Sequence, residues 1–279
     1  MAVSNGVIKG MNKKSMKQLF SLVKAKSPLI HQITNTVTIN DCANVTLAIG
    51  ASPVMAANPE EVADMVQLAD ALVINFGTIT DSTYLAMVRA GKVANHKNIP
   101  VIFDPVGVGA THYRTDKASE LLQQVDVSVI RGNASEVYTL IGGTATTRGV
   151  DSGKITISQK ELAQKAATSC KCITVISGEQ DVVSDGKKTI LIDNGDNWLP
   201  KITGTGCMST SLIACFAGIT DNLLSASIVG MSAMSIAGEL AKRKIKNKEG
   251  IGSFKMKLMD EIFLLNASTW EKEVLLYDA

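Results

Sequence analysis

PVIFDPVGVG, residues 100–109, opens with a run of apolar side chains and then meets an acid, a proline and two glycines. A strand with one wet face alternates polar and apolar residues, whereas a strand covered on both faces is apolar throughout. The run therefore predicts a central strand of a parallel sheet over 100–106. ALVINFG (71–77), DVSVIRG (126–132) and CITVISG (172–178) have the same character. Helix-length amphipathic segments lie between them, so the fold class is α/β, three layers with a mostly parallel central sheet.

Local signals punctuate the helices. Asn58-Pro59-Glu60-Glu61 supplies an N-cap, a first-turn proline and two acids, predicting a helix to about Asp70. A second helix is expected over 81–98, and Asn133-Ala134-Ser135-Glu136 reads as a capping box opening a third. Asp185-Gly186 between two alternating runs predicts a hairpin and an antiparallel edge. From Thr205 to about Leu265 the chain is helical in character, with small residues such as Gly230 and Ala233 that allow close packing. No repeat or proline-rich linker interrupts it, so residues 11–279 are expected to form one domain behind a Gly/Ser-containing leader or cloning remnant at 1–10.

Composition narrows the partners. The 28 basic and 26 acidic residues of the 279 leave a net charge of +2, which gives nucleic acid little to bind. Five cysteines without a CxxC pair argue against a disulfide framework or a structural zinc site and suit a reducing cytoplasm. No window reaches the roughly 20 apolar residues of a membrane helix, and a soluble, unprocessed chain is expected.

In open α/β sheets ligands gather at the carboxyl ends of the strands. Here those ends carry Asn75-Phe76-Gly77, Asp104 with Gly107 and Gly109, Arg131 with Asn133 and Glu136, and Ser177-Gly178-Glu179. KITGTGCMSTSLIACFAG (201–218) adds a glycine loop, Gly204-Thr205-Gly206, feeding a helix with Cys207 at its mouth. Glycines let backbone N–H groups approach phosphate, and carboxylates hold magnesium through water, so the set suits a nucleotide with a divalent ion. Plainer readings stand beside this one: Asp104-Pro105 also ends a strand, Glu136 also completes a cap, and a glycine pair before a helix also makes a turn. Arg131, after the apolar run VSVI, calls for an anion.

No GxxxxGK[ST], complete GxGxxG or GxSxG is present. His31, His96 and His112 lack metal-ligand spacing; His96 reads as a surface residue, and His31 as one that could face a pocket.

Five segments in this order, SPLIHQITNTVTINDCANVTLAIGASPVMA (27–56), INFGT (74–78), PVIFDPVGVGAT (100–111), IRGNASEV (130–137) and ITGTGCMST (202–210), resemble the hydroxyethylthiazole kinases of the ribokinase-like superfamily. The resemblance implies ATP-dependent phosphorylation of the hydroxyl of 4-methyl-5-(2-hydroxyethyl)thiazole, a step of thiamin salvage, by a cytoplasmic homotrimer with pockets between subunits. It implies substrate contacts at Met55 of the SPVM turn, at Gly204 and at Asn35, and ATP contacts at Arg131 and Ser177. An anion hole falls at Gly204, Thr205 and Gly206, and Asp104 and Glu136 match acids that organise Mg2+ and its waters.

Cys207 stands where relatives on this fold place an aspartate, and it is expected to accept the proton of the substrate hydroxyl. A free thiol titrates near 8.5 and a helix N-terminus lowers that value. The remaining cysteines, Cys42, Cys170, Cys172 and Cys215, read as core packing. Three alternatives stay open on the same scaffold: a kinase for the pyrimidine half of thiamin, an ADP-dependent lyase for hydrated nicotinamide nucleotides, and a non-catalytic nucleotide-binding protein.

Overall fold

The structure is a computed structural model that describes residues 13–143 and 157–279; the expected leader at 1–10 lies outside the described residues. The chain begins with α1 (Lys13–Lys26), β1 (Leu29–Ile33), α2 (Ile39–Ile49), β2 (Ser52–Val54) and α3 (Val62–Leu68). It continues through β3 (Ala71–Asn75), α4 (Asp81–Lys97), β4 (Val101–Asp104), α5 (His112–Gln124), β5 (Val129–Asn133), α6 (Ala134–Leu140) and α7 (Gln159–Cys170). Next come β6 (Ile173–Ser177), β7 (Asp181–Ser184), β8 (Thr189–Ile192) and a short 3-10 turn at Leu199–Lys201. α8 (Thr205–Ala217), α9 (Leu223–Arg243), α10 (Ile251–Leu264), α11 (Ala267–Glu273) and β9 (Leu276–Asp278) complete it.

The strands form one nine-stranded sheet in the order β2-β1-β3-β4-β5-β6-β7-β8-β9. It is parallel from β2 to β6 and antiparallel from β6 to β9. The four apolar runs are the central strands β3 to β6, and Asp185-Gly186 turns the β7–β8 hairpin. Alternation splits each central strand between two cores. Val73, Ile102, Val129 and Val175 face α1, α2 and α8 to α11, while Leu72, Phe103, Ile130 and Ile176 face α3 to α7. Each fully buried side chain of this size contributes about 1.5–3 kcal/mol, so these strands are mainly apolar before their ends, with Thr174 of β6 a buried polar exception.

Three expectations are corrected. The helix expected from Asn58 begins at Val62, because the Asn58 side chain accepts the Glu60 N–H at 3.0 Å in a local turn and its carbonyl accepts from Glu61 and Val62. The SPVM segment is not a turn: Ser52–Val54 is the edge strand β2, in parallel register with Leu29, Ile30 and His31. α9 has the length and hydropathy of a membrane span, contrary to the reading of the sequence, but 78% of its apolar window is buried inside the protein, where it packs on α8, α10 and the sheet.

Candidate active site

The core facing α8 ends in a polar row. Two residues after Val73, Ile102, Val129 and Val175, on the same face by strand alternation, come Asn75, Asp104, Arg131 and Ser177; the first, second and fourth end β3, β4 and β6, and Arg131 lies mid-way along β5. α8 enters above this row. Gly204 caps it in the left-handed region at φ 92°, and a Cβ there would lie 2.5 Å from Thr38 Cγ2, so the position admits only glycine without displacement. The first intrahelical bond is Met208 N–H to Gly204 O at 2.8 Å. The N–H groups of Thr205, Gly206 and Cys207 precede it and point out of the helix end, where they and the helix dipole can receive an anion. Thr205 itself is tied down by its hydroxyl, which donates to Leu199 O at 3.2 Å.

Cys207 lies in this first turn. Its Sγ accepts Nδ2–H bonds from Asn35 and from Asn75, both at 3.3 Å. Asn35 is fixed in turn: its Nδ2 donates to Asn75 Oδ1 at 3.0 Å, and its Oδ1 accepts from the N–H groups of Val37 and Thr38 and from the Thr38 hydroxyl. The expectation of a lowered thiol pKa is overturned. Burial, followed by the charge of Asp104, pushes the Cys207 thiol up to about 12, and the Asn75 and Thr38 hydrogen bonds recover only part of this. The helix end does not outweigh desolvation.

Asp104 is fully buried. Its Oδ2 accepts from Asn75 Nδ2 and Thr210 Oγ1, each at 2.8 Å, while Oδ1 has no hydrogen-bond partner. Burial raises its pKa; Arg131, Thr210, Asn75 and Cys207 pull it back. Arg131 reaches Asp104 Oδ1 at 4.0 Å through Nη1 and donates from Nη2 to Ser177 Oγ at 2.8 Å. A Cβ on Gly206 would sit 2.5 Å from Arg131 Nη1, so the guanidinium lies directly beneath the first turn of α8.

Glu136 closes the capping box expected for it: Asn133 N–H donates to Oε2 at 2.8 Å and Glu136 N–H to Asn133 Oδ1 at 2.9 Å. Its Oε1 accepts Gly107 N–H at 2.8 Å, which fastens the loop after Asp104 to α6. Burial, then the charge of Asp104, raises its pKa. Met55 follows β2, is half-buried and packs on the α8-side core. His31, read as able to face a pocket, is instead fully buried with Nε2 2.8 Å from Ala56 O. His96 is exposed as expected. Cys42, Cys172 and Cys215 are buried, Cys170 is half-exposed, and all five cysteines are free.

The sequence reading missed Thr210, which touches Asp104, and Arg114. The Arg114 guanidinium donates to Val106 O at 2.8 Å, to Gly77 O at 2.7 Å and to Phe76 O, so one side chain binds the loops after β3 and β4 together. For Thr210 a signal was available: it lies three residues after Cys207 on α8 and so shares its face.

Residues 20–268 match the model of the hydroxyethylthiazole kinase family. The chain belongs to that family. A hydroxyethylthiazole kinase from Alkaliphilus oremlandii is 51% identical over 241 residues, 86% of this chain and 89% of its own length. One from Clostridium tetani is 47% identical over 272 residues, 96% and 98% of the two chains. The solved hydroxyethylthiazole kinase of Pyrococcus horikoshii OT3 superposes with a TM-score of 0.85 at 34% identity, covering 95% of this chain and 99% of that one. A ribokinase-like superfamily protein from Enterococcus faecalis V583 gives a TM-score of 0.62 at 12% identity over 93% of this chain and 99% of its own. That likeness is one of fold, and this member of the hydroxyethylthiazole kinase family has the ribokinase-like fold.

Proposed function

We propose that the protein transfers the γ-phosphoryl group of ATP to the hydroxyl of 4-methyl-5-(2-hydroxyethyl)thiazole, in thiamin salvage. The observation that carries this reading is Cys207, held by two asparagine amides beside Asp104 under the open end of α8, in a chain of this family. Phosphoryl transfer runs through a loose transition state, so placement and charge stabilisation dominate and the hydroxyl proton leaves late. The backbone of Gly204, Thr205 and Gly206 receives the transferring group. Arg131 and Ser177 bind the nucleotide, and Met55, Asn35 and Gly204 line the thiazole side. Cys207, as its thiolate, accepts the hydroxyl proton and becomes the neutral thiol; the Asn35 and Asn75 amides stabilise the thiolate before that transfer.

The residues present fit a magnesium ion. Asp104 offers Oδ1, buried and without a hydrogen-bond partner, whereas both Glu136 oxygens already accept backbone N–H groups, so Glu136 would hold the ion through water. Among the described residues no three His, Cys, Asp or Glu side chains gather into a metal cage, in keeping with a cation that takes much of its shell from water and phosphate. Such an ion would neutralise charge on the phosphates.

The kinase domain is taken to span residues 11–279 and to work in the cytoplasm, where its free thiols stay reduced. It assembles as a homotrimer with the sites between subunits. Leu47 on α2 and Met256, Phe263 and Leu264 on α10 are exposed large apolar residues on two helices that pack together, and the exposed Val37, just before α2, lies two residues from Asn35. Light scattering on the eluted peak tests this; a monomer would overturn it.

The deciding experiment is incubation with Mg-ATP and the thiazole alcohol, with the aminopyrimidine alcohol in parallel and mass spectrometry of the products. Phosphorylated thiazole is expected. Product from the pyrimidine alone would make the protein the sister kinase, and product from neither would favour the lyase or a non-catalytic binder.

A further inference from the structure

Asp181 begins β7 and is 4% exposed. Two residues before Val183, which lies in the α8-side core, it faces the same side of the sheet as Asp104, Arg131 and Ser177 and extends their row by one strand. Its Oδ1 accepts Gly178 N–H at 3.1 Å, across the turn between β6 and β7. Its Oδ2 accepts the Ser235 hydroxyl at 3.2 Å, from α9.

These two bonds offset only part of the burial of a charge, and the charge of Arg131 adds to them. Burying a carboxylate costs several kcal/mol, and an amide oxygen would take the Gly178 bond equally well while a serine hydroxyl can serve either isostere. A carboxylate at this position needs a cation, and the cation that stabilises its ionised form is Arg131. Arg131, on β5, is thus a guanidinium whose charge acts on buried carboxylates of both β4 and β7. Its Nη1 is at 4.0 Å from Asp104, its Nη2 is bonded to Ser177, and its Nε is buried without a hydrogen-bond partner. Without the charge on β7, the attraction of Asp104 is unopposed and draws the guanidinium toward β4.

We propose that Asp181 is a positioning residue for the nucleotide: it locks the β6–β7 turn that presents Ser177 and counterbalances Asp104, so that Arg131 stays on the nucleotide side of the row. This rests on the reading of Arg131 and Ser177 as nucleotide contacts. Asp181 touches neither substrate; it acts through those two residues.

The test compares Asp181→Asn, which keeps the shape and removes the charge, with Ser235→Ala, which removes one bond and keeps the charge. ATP affinity is measured by calorimetry, and KM for ATP and for the thiazole alcohol by steady-state kinetics. Asp181→Asn is expected to weaken ATP binding about tenfold, to raise KM for ATP in step, and to leave KM for the thiazole within about twofold; Ser235→Ala leaves all three near the natural values. In an Arg131→Gln background, Asp181→Asn is expected to add nothing further to the loss of ATP affinity. Unchanged ATP affinity in Asp181→Asn, an equal loss in Ser235→Ala, or an additive double variant would each overturn the inference. Should Asp181→Asn not fold, Asp181→Ser keeps an acceptor for Gly178 and gives the same readout. A natural protein that phosphorylates the thiazole while Asp181→Asn binds ATP equally well overturns this inference alone; one that neither binds ATP nor phosphorylates the thiazole overturns the reading of the site, and the inference with it.

Discussion

Asn75 and Asp104 face each other in register at the ends of β3 and β4, and the Asn75 amide donates to the Asp104 carboxylate at 2.8 Å. The same Nδ2 donates to Cys207 Sγ at 3.3 Å, while Asn75 Oδ1 accepts from Gly77 N–H and from Asn35. One amide therefore sets the spacing between an acid from the sheet, a thiol from α8 and a second amide from the loop after β1.

Asn75→Ala removes this hub. It leaves the Gly77 N–H and part of the Asp104 carboxylate unmatched, so a loss of about 2 kcal/mol in chemical denaturation is expected. Turnover is expected to fall on the order of a hundredfold, because acid and thiol lose their mutual placement. Steady-state kinetics on the folded variant check this; turnover within twofold of the natural chain would show that α8 places Cys207 by itself.

Cys207 makes a prediction about pH. With the thiol raised to about 12, the thiolate fraction grows roughly tenfold per pH unit through the neutral and mildly alkaline range, and turnover should climb with it. Cys207→Asp is ionised throughout and should be flat over that range, with activity equal to or above the natural level; Cys207→Ser should be slower than either. A natural enzyme as active with alanine at this position, or with a flat profile, has no base at 207.

Gly204→Ala places a Cβ where Thr38 stands and asks alanine for a φ of 92°. The strain is about 1–3 kcal/mol, and relief comes by shifting the first turn of α8. Melting temperature and phosphoryl transfer are both expected to drop, and pairing with Thr38→Ala should restore only part, since the backbone conformation still resists a side chain.

Asp181 predicts a stability dependence with a definite sign. Burial raises its pKa to about 6 against an ordinary value of 3.8. The folded protein then holds the proton more tightly than the unfolded chain, so stability is lost as pH rises from about 4 to about 6 and stays lost above. Asp104 and Glu136 are shifted the same way. In the ligand-free protein, Asp181→Asn should therefore gain on the natural chain as pH rises through this window, by up to ~3 kcal/mol. Thermal melts at about pH 4 and pH 7 measure it, and a gain that is the same at both would refute the shift.

Much of the fold was legible because parallel strands advertise themselves: β3 to β6 are apolar on both faces, and the polar row begins where each run stops. β1 was hidden by its own His31 and Gln32, which sit in the core with His31 Nε2 paired to Ala56 O and Gln32 bonded to Thr46 and Ser211. β2 was hidden by Ser52-Pro53, acceptable at an edge where the missing N–H faces no partner. Asp104, Arg131, Glu136 and Ser177 could be picked out at or just after strand ends, and the family resemblance added Met55 and Asn35. Burial could not be read the same way. The thiol of Cys207 looks accessible and acidic at a helix start in sequence, and only the sheet beneath it reveals the cost of ionisation. Thr210 and Asp181 join the row through contacts across 106 residues with Asp104 and 54 with Ser235, which no local pattern encodes.

The cluster centred on Asn75 joins it to Asn35, Asp104 and Cys207, and the Asn35–Cys207 contact spans 172 residues of chain. Pairings of such separation close late, after the entropy of long loops has been overcome. On refolding from denaturant, helical signal can thus return while the site is still open, and phosphoryl transfer would be the last property to recover, making catalysis a clock for the final step of folding.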